Sequence, residues 1–388
     1  MDFLIFDPKT PRDMIRRLQQ KFAQDRLFKG KALLIYGPRQ VGKTTFTEAL
    51  LSTLEKSVLR LNGDDTDTRE LLSRPNVTQL KSIIRDSEIV FIDEAQRIPE
   101  IGLVIKIIVD QIKSVQVIAT GSSSFELAGK INEPLTGRTY ELVLLPITYE
   151  ENVNHTDFLT EKRMLEQRLV FGSYPEIVSD EINALEHLKL LTNSYLYKDL
   201  FELDQIKNSA LLQRIVKSLA LQIGSEIRIN ELSKQVGADN KTIHKYITLL
   251  EQSFIIFSLT SYGKNVRNEL KKSRKIFFYD NGVINAVTGN LNPVHQRNDV
   301  GLLWENYLVS ERKKWLNINR IDKFTHFWRT TQQQEVDYIE TTHDTTLGFE
   351  FKWNPNSKAH FPKTFTKAYP EAICQVISTE NYFEFLSM

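Results

Sequence analysis

The sequence predicts an α/β fold in more than one domain, on three observations. The apolar run KALLIY (31–36) leads straight into a glycine turn and the start of a helix, the strand–turn–helix order of a parallel sheet. A second apolar run, SEIVFIDE (87–94), repeats the strand pattern and ends in two acids. Near the far end a helix, GLLWENYLVSERKKW (301–315), precedes three short strand patterns, FTHFWRT (324–330), EVDYIE (335–340) and LGFEFKW (347–353). With 388 residues the chain exceeds one ordinary core, so two or three domains are expected.

The first of these runs carries the most specific chemistry. Gly37-Pro38-Arg39-Gln40-Val41-Gly42-Lys43-Thr44 matches the phosphate loop G-x-x-x-x-G-K-[ST], with Thr45 following in the first helical turn. The glycines let successive backbone N–H groups curl around phosphate oxygens, and the helix start adds its positive dipole end. Lys43 is placed for the β- and γ-phosphates and the Thr44 hydroxyl for Mg²⁺, so ATP and Mg²⁺ are the expected ligands. About fifty residues on, Asp93 would hold Mg²⁺ through water and Glu94 would polarise the attacking water. A third strand, VQVIATGSSSF (115–125), ends in Thr120, Ser122 and Ser123. A polar group there could reach the γ-phosphate or hold water; a turn capped by one of the serines is an equal reading. GKINEPLTGRTYELVLLP (129–146) then supplies Gly137-Arg138 before another strand.

Phosphate loop, Asp-Glu strand, Thr-Gly-Ser strand end and Gly-Arg before a strand closing in Leu-Pro together resemble an AAA+-type ATPase. The resemblance implies that Arg138 is an arginine finger for a neighbouring subunit's nucleotide, and hence a homo-oligomer. Pairing of Arg138 with a carboxylate of its own domain is the competing reading.

Residues 147–222 read as mostly helical, interrupted by the Gly/Pro turn FGSYPEIV (171–178). Within 225–262, ELSKQVG is a short helix ended by Gly237, and KTIHKYITLLEQS is a second helix with Asn240 as its expected cap. Ile243, Ile247 and Leu250 form the second helix's apolar face, and IIFSLTSYG returns as a strand. This order resembles a winged helix-turn-helix. Lys241, His244 and Lys245 face outward, and the following Lys264, Arg267, Lys271, Lys272, Arg274 and Lys275 form a basic run suited to DNA phosphates. A protein-packing module beside a solvated charge run is the alternative.

In the C-terminal strands, period-two alternation places Glu350 and Lys352 on one face and Phe349, Phe351 and Trp353 on the other. A helix followed by strands carrying Asp and E-x-K resembles the restriction-endonuclease-like PD-(D/E)xK fold, with Val336 where that pattern usually has proline. The resemblance implies metal ligands Glu305, Asp337 and Glu350, with Lys352 stabilising charge at a scissile phosphate. A structural Glu350–Lys352 pair, or a docking platform of the same shape, is the alternative.

The expected organisation is therefore a P-loop ATPase domain over 1–150 and a helical lid over 151–222. A winged helix over 223–263 and a nuclease-like α/β domain over 264–388 follow. The formal net charge of +1 excludes a globally basic nucleic-acid binder, so attraction to DNA must be local. One cysteine, Cys374, excludes an internal disulfide and fits a reducing cytoplasm. MDFLIFDPKT lacks a basic leader pattern, and IGLVIKIIVDQI is too short and too charged to span a bilayer, so no membrane association is expected.

Overall fold

The computed structural model describes residues 14–122, 135–192, 208–263 and 274–387. Two sheets organise them. The first is a five-stranded, all-parallel sheet of β1 (Ala32–Tyr36), β2 (Val58–Asn62), β3 (Ile89–Asp93), β4 (Gln116–Gly121) and β5 (Thr139–Val143), in the order β2-β3-β4-β1-β5. Every residue of β1 and β4 is buried, which explains why these runs lack polar alternation. The helix Ile101–Gln111 packs on this sheet with Ile101, Val104, Ile105 and Ile108 inward, so the apolar run there is core. Among the described residues no helix is long and apolar enough to cross a membrane.

The second sheet holds seven strands in the order β12-β11-β10-β9-β7-β8-β6. They are β6 (Glu226–Ile227), β7 (Ile256–Ser261), β8 (Arg274–Phe278), β9 (Phe324–Arg329), β10 (Glu335–Thr341), β11 (Thr346–Phe351) and β12 (Ile373–Ile377). β7 pairs with β9 in parallel through Thr260–His326 and Ser261–Phe327. The strands expected in a separate winged helix and those expected in a nuclease-like domain thus share one sheet, and the boundary expected at 263/264 does not divide two sheets. The two helices of the 225–262 segment are Ile229–Val236, closed by Gly237 in the left-handed conformation, and Asn240–Gln252. The second helix is capped by Asp239, not by the expected Asn240: the Asp239 carboxylate accepts from the Thr242 backbone N–H at 2.9 Å.

The Val300–Asn319 helix lies across this sheet. Asn306, buried within it, accepts from Phe278 N at 2.8 Å and donates to Phe278 O at 3.0 Å, which fixes the helix against the end of β8. A β-bulge interrupts β10 between Val336 and Ile339. Val336 and Ile339 both pack with Trp328 and Phe365 on one face, whereas Tyr338 packs with Trp304 and Tyr307 on the helix face. The extra residue brings Asp337 and Tyr338 to the same side.

The two sheets are tied through one buried and one exposed polar contact. Glu311 of the long helix accepts from Tyr149 N at 2.7 Å, and Arg320 donates to Glu141 O at 2.8 Å. Helices Tyr149–His155, Phe158–Phe171, Pro175–Ser179, Ala184–Leu190 and Ser209–Leu221 lie in the described part of the expected helical stretch between the sheets in sequence.

Candidate nucleotide site and C-terminal charge cluster

Because β1 lies beside β4, and β4 beside β3, the carboxyl ends of three strands meet at one edge of the first sheet. The phosphate loop leaves β1 there. Gly37 adopts φ +148 and Gly42 φ +87, and a Cβ on Gly37 would sit 3.0 Å from the Leu144 carbonyl carbon, so glycine is required by conformation and by space. Gln40 also has positive φ. Val41 is fully buried in the core below the loop, and its carbonyl accepts from the Arg17 guanidinium at 3.1 Å. Lys43 opens the Lys43–Ser52 helix, and its buried ammonium donates to Gly37 O and Pro38 O, both at 2.9 Å. Arg39 lies half-buried along the loop, and Thr45 is exposed on the helix's first turn.

Asp93 joins the other strand ends. Its Oδ2 accepts from the Thr44 hydroxyl at 2.9 Å, and its Oδ1 accepts from the Thr120 hydroxyl at short range. The residues present fit Mg²⁺: a carboxylate and two hydroxyls, all hard oxygen donors, converge beside a loop built for phosphate. Glu94 follows in the left-handed conformation, and Gln96 Nε2 donates to its carboxylate at 2.5 Å. Ser122 is buried at the end of the third strand, next in line after Gly121. Ser123 lies outside the described residues.

Gly63 was not anticipated in this site. It donates its N–H to Asp93 O at 2.8 Å, and a Cβ on it would approach the Glu94 carbonyl carbon to 3.0 Å. Its only sequence signal is a glycine just past a strand pattern.

Arg138 stands elsewhere. It precedes β5, at the amino edge of the parallel sheet, whereas the phosphate loop is at the carboxyl edge. Its Nε donates to Asp110 at 2.8 Å, and this contact raises the arginine's pKa and lowers that of Asp110. Arg138 therefore does not serve its own domain's nucleotide.

In the second sheet the four residues expected to form a metal site do come together, with two others that sequence reasoning missed. Glu305, Glu335 and Asp337 each place one carboxylate oxygen within 4.8 Å of the others. Glu335, rather than Glu350, completes this trio. Lys275 is the second unexpected member. The sequence puts it in the basic run suited to DNA phosphates, but it is 1 % exposed, and its ammonium lies 3.0 Å from Glu305 Oε1 and against Glu335 Oε1. The Val300–Asn319 helix, which carries Glu305, packs over β8 on this side; burial of Lys275 follows from that packing and not from local composition. Of the rest of that basic run, Arg274 opens β8 exposed, and Lys264, Arg267, Lys271 and Lys272 lie outside the described residues. Glu350 and Lys352 share a face as the alternation predicts and pair at 3.1 Å, although Lys352 lies just past the end of β11. Asp337 Oδ2 accepts from Phe351 N at 2.8 Å.

Burial dominates the electrostatics here. It pushes Glu305 up to about 7, with Lys275 opposing. Glu350 is likewise pushed up to about 7, by burial and then by the nearby Asp337. Asp337 is raised by burial against the pull of the Phe351 N–H and the two lysines. Lys275 and Lys352 are both held above the usual lysine value by the surrounding carboxylates, which outweigh burial.

The phosphate-loop fold and site of the first third are those of a P-loop ATPase, and the family model described as "AAA domain" matches residues 29–153. Two models described as domains of unknown function, DUF8612 and DUF4143, match residues 162–294 and 300–385. Their junction falls just before the Val300–Asn319 helix, within the segment joining β8 to β9. An uncharacterised protein of Mycobacterium tuberculosis is 24% identical over 347 residues, spanning 88% of this chain and 73% of its own. An uncharacterised protein of Methanocaldococcus jannaschii is 24% identical over 260 residues, 61% of this chain and 58% of its own. Among solved structures, the Walker-type ATPase PABY2304 of Pyrococcus abyssi covers 73% of this chain and 98% of its own at 16% identity, with a TM-score of 0.48.

Proposed function

We propose that this protein binds and hydrolyses ATP and uses its nucleotide state to bias the position of its C-terminal sheet. The observation that carries the reading is the meeting of Thr44, Asp93 and Thr120 beside the phosphate loop. In this reading the loop amides and Lys43, released from Gly37 O and Pro38 O, hold the β- and γ-phosphates. Thr44 and Asp93 hold Mg²⁺, whose charge offsets that of the phosphate oxygens. Glu94, its direction set by Gln96, orients the attacking water. Arg138, with Asp110 as its resting partner, acts as a finger on a neighbouring copy.

The 171–178 turn supports the coupling. A Cβ on Gly42 of the phosphate loop would lie 3.9 Å from Pro175 Cγ, so the turn borders the loop. Two residues earlier, Ser173 O accepts from Ile147 N and Ser173 N donates to the buried Asp280 carboxylate at 2.7 Å. Asp280 follows β8 and caps the Asn281–Thr288 helix. A shift of the loop on binding phosphate therefore has a packed route toward β8.

DNA is the proposed partner of the C-terminal unit, through the exposed Lys241, His244 and Lys245 on the second helix of the helix-turn-helix-like pair. For the carboxylate cluster, docking is favoured over cleavage, because each acid named as a metal ligand already has a protein donor. The test is steady-state ATP turnover with and without duplex DNA, in wild type and Lys43→Ala. Turnover lost in the variant and stimulated by DNA supports both halves of the reading. Turnover indifferent to DNA removes the DNA half.

A further inference from the structure

We infer that the ammonium of Lys275 is the resident cation of the Glu305–Glu335–Asp337 cluster, and that the cluster takes up no divalent metal while Lys275 is in place. The inference goes beyond the ATPase reading and does not depend on it. Three converging carboxylates are the donor chemistry of a Mg²⁺ or Mn²⁺ site. In this protein the donors are already engaged. Lys275 Nζ lies 3.0 Å from Glu305 Oε1 and against Glu335 Oε1, so the position between those two acids is filled by a positive charge. The other Glu335 oxygen is 3.3 Å from Arg329 Nε, and Asp337 Oδ2 takes the Phe351 N–H. Glu350, the remaining acid of the E-x-K strand, is held by Lys352 at 3.1 Å.

Lys275 has no ready exit. Its side chain is 1 % exposed and its ammonium lies 5.4 Å from the centre of the Phe327 ring. The next three residues of β8, Ile276, Phe277 and Phe278, are core. Expelling the ammonium would leave it buried without its carboxylates, and keeping it would set a dication against a positive charge already enclosed there. Either way the metal loses to the lysine. The residues thus do not fit the metal-bound arrangement that the E-x-K pattern implies.

The test is Mn²⁺ binding to the full, nucleotide-free chain, followed by electron paramagnetic resonance, with thermal melts in EDTA and in Mn²⁺. Any Mn²⁺ held at Asp93 is common to all samples, so the cluster's share is the part lost in Asp337→Asn. Wild type should show no Asp337-dependent binding and no Mn²⁺-dependent rise in melting temperature. Lys275→Gln should gain a site on the order of tenfold tighter or more, and that gain should vanish in Lys275→Gln/Asp337→Asn. Asp337-dependent Mn²⁺ binding in wild type, as tight as in Lys275→Gln, would overturn the inference. Should Lys275→Gln fail to fold, the wild-type comparison with Asp337→Asn decides alone: binding overturns the inference, and its absence sustains it.

Discussion

Gly172→Ala probes the joint between the nucleotide site and the second sheet. Gly172 has φ +80 and ψ −162, a region essentially reserved for glycine, and holding alanine there costs about 1–3 kcal/mol. A Cβ would also lie 2.5 Å from Asp280 Cγ, so the carboxylate must move. Moving it lengthens the 2.7 Å hydrogen bond from Ser173 N, and a bond to a charged group contributes about 1.5–3 kcal/mol. The chain can relax along one of these coordinates at the expense of another, so the terms are not summed in full. The expected loss is about 3–5 kcal/mol. Gly289→Ala is the control: φ is +77 there, but nothing lies within 4 Å of the added carbon, so backbone strain alone of about 1–2 kcal/mol is expected. Urea melts of the three proteins measure the difference, and fluorescent-ATP titration reads the effect on the loop through Pro175. Gly172→Ala should fall well below Gly289→Ala in stability and should bind ATP more weakly. Equal melts for the two alanine variants, with unchanged ATP affinity, would refute the argument that this turn couples loop to sheet.

Other outcomes follow from the same geometry. Removing the buried bidentate partner of Glu340 by Arg312→Met should cost about 3–5 kcal/mol in a urea melt, since the acid is left buried with Lys323 alone. Arg138→Ala should slow hydrolysis by roughly a thousandfold if it serves a neighbour, and specific activity should then rise with protein concentration; concentration-independent turnover would remove the trans role. Glu350 has its folded pKa raised from 4.5 to about 7, so the folded state binds more protons across that interval and stability from this group falls as pH rises from about 4.5 through 7. Glu350→Gln should flatten that part of a stability–pH profile measured by melting; an unchanged slope would contradict the burial argument. Charge reversal of Lys241 and Lys245 should reduce the salt dependence of duplex binding, whose log–log slope is about −0.9 per phosphate contacted; an unaltered slope would place the contact elsewhere.

What was legible in the sequence was local. The phosphate loop is eight consecutive residues between a strand and a helix, and Asp93 closes a strand that reads unambiguously as buried, so both are placed by short-range pattern. The pairing of Glu350 with Lys352 follows from period two over three residues. The largest miss, Lys275, is non-local. Lys275 sits in a run of bases that reads as facing DNA phosphates or solvent; only the helix packed over β8, and acids 30 and 60 residues further on, reveal that it is enclosed. Glu335 shares Asp337's face by plain period two, but nothing in the sequence pattern sets it above Glu350 as the third acid of the cluster. Arg138 carries the same sequence signal whether it waits for a neighbour or pairs with Asp110, because that choice depends on a helix 28 residues earlier. Asp239 and Asn240 are both competent caps, and one residue of register decides between them.

The account's central claim is that the grouping of Lys43, Thr44, Asp93 and Glu94 is an ATP-hydrolysing site. The measurement that tests it most directly is ATP binding and phosphate release, in parallel, for wild type, Lys43→Ala and Glu94→Gln with Mg²⁺ present. The account predicts that wild type binds and hydrolyses ATP, that Glu94→Gln binds without hydrolysing, and that Lys43→Ala does neither. ATP bound with undiminished affinity by Lys43→Ala, or hydrolysed at the wild-type rate by Glu94→Gln, would contradict it.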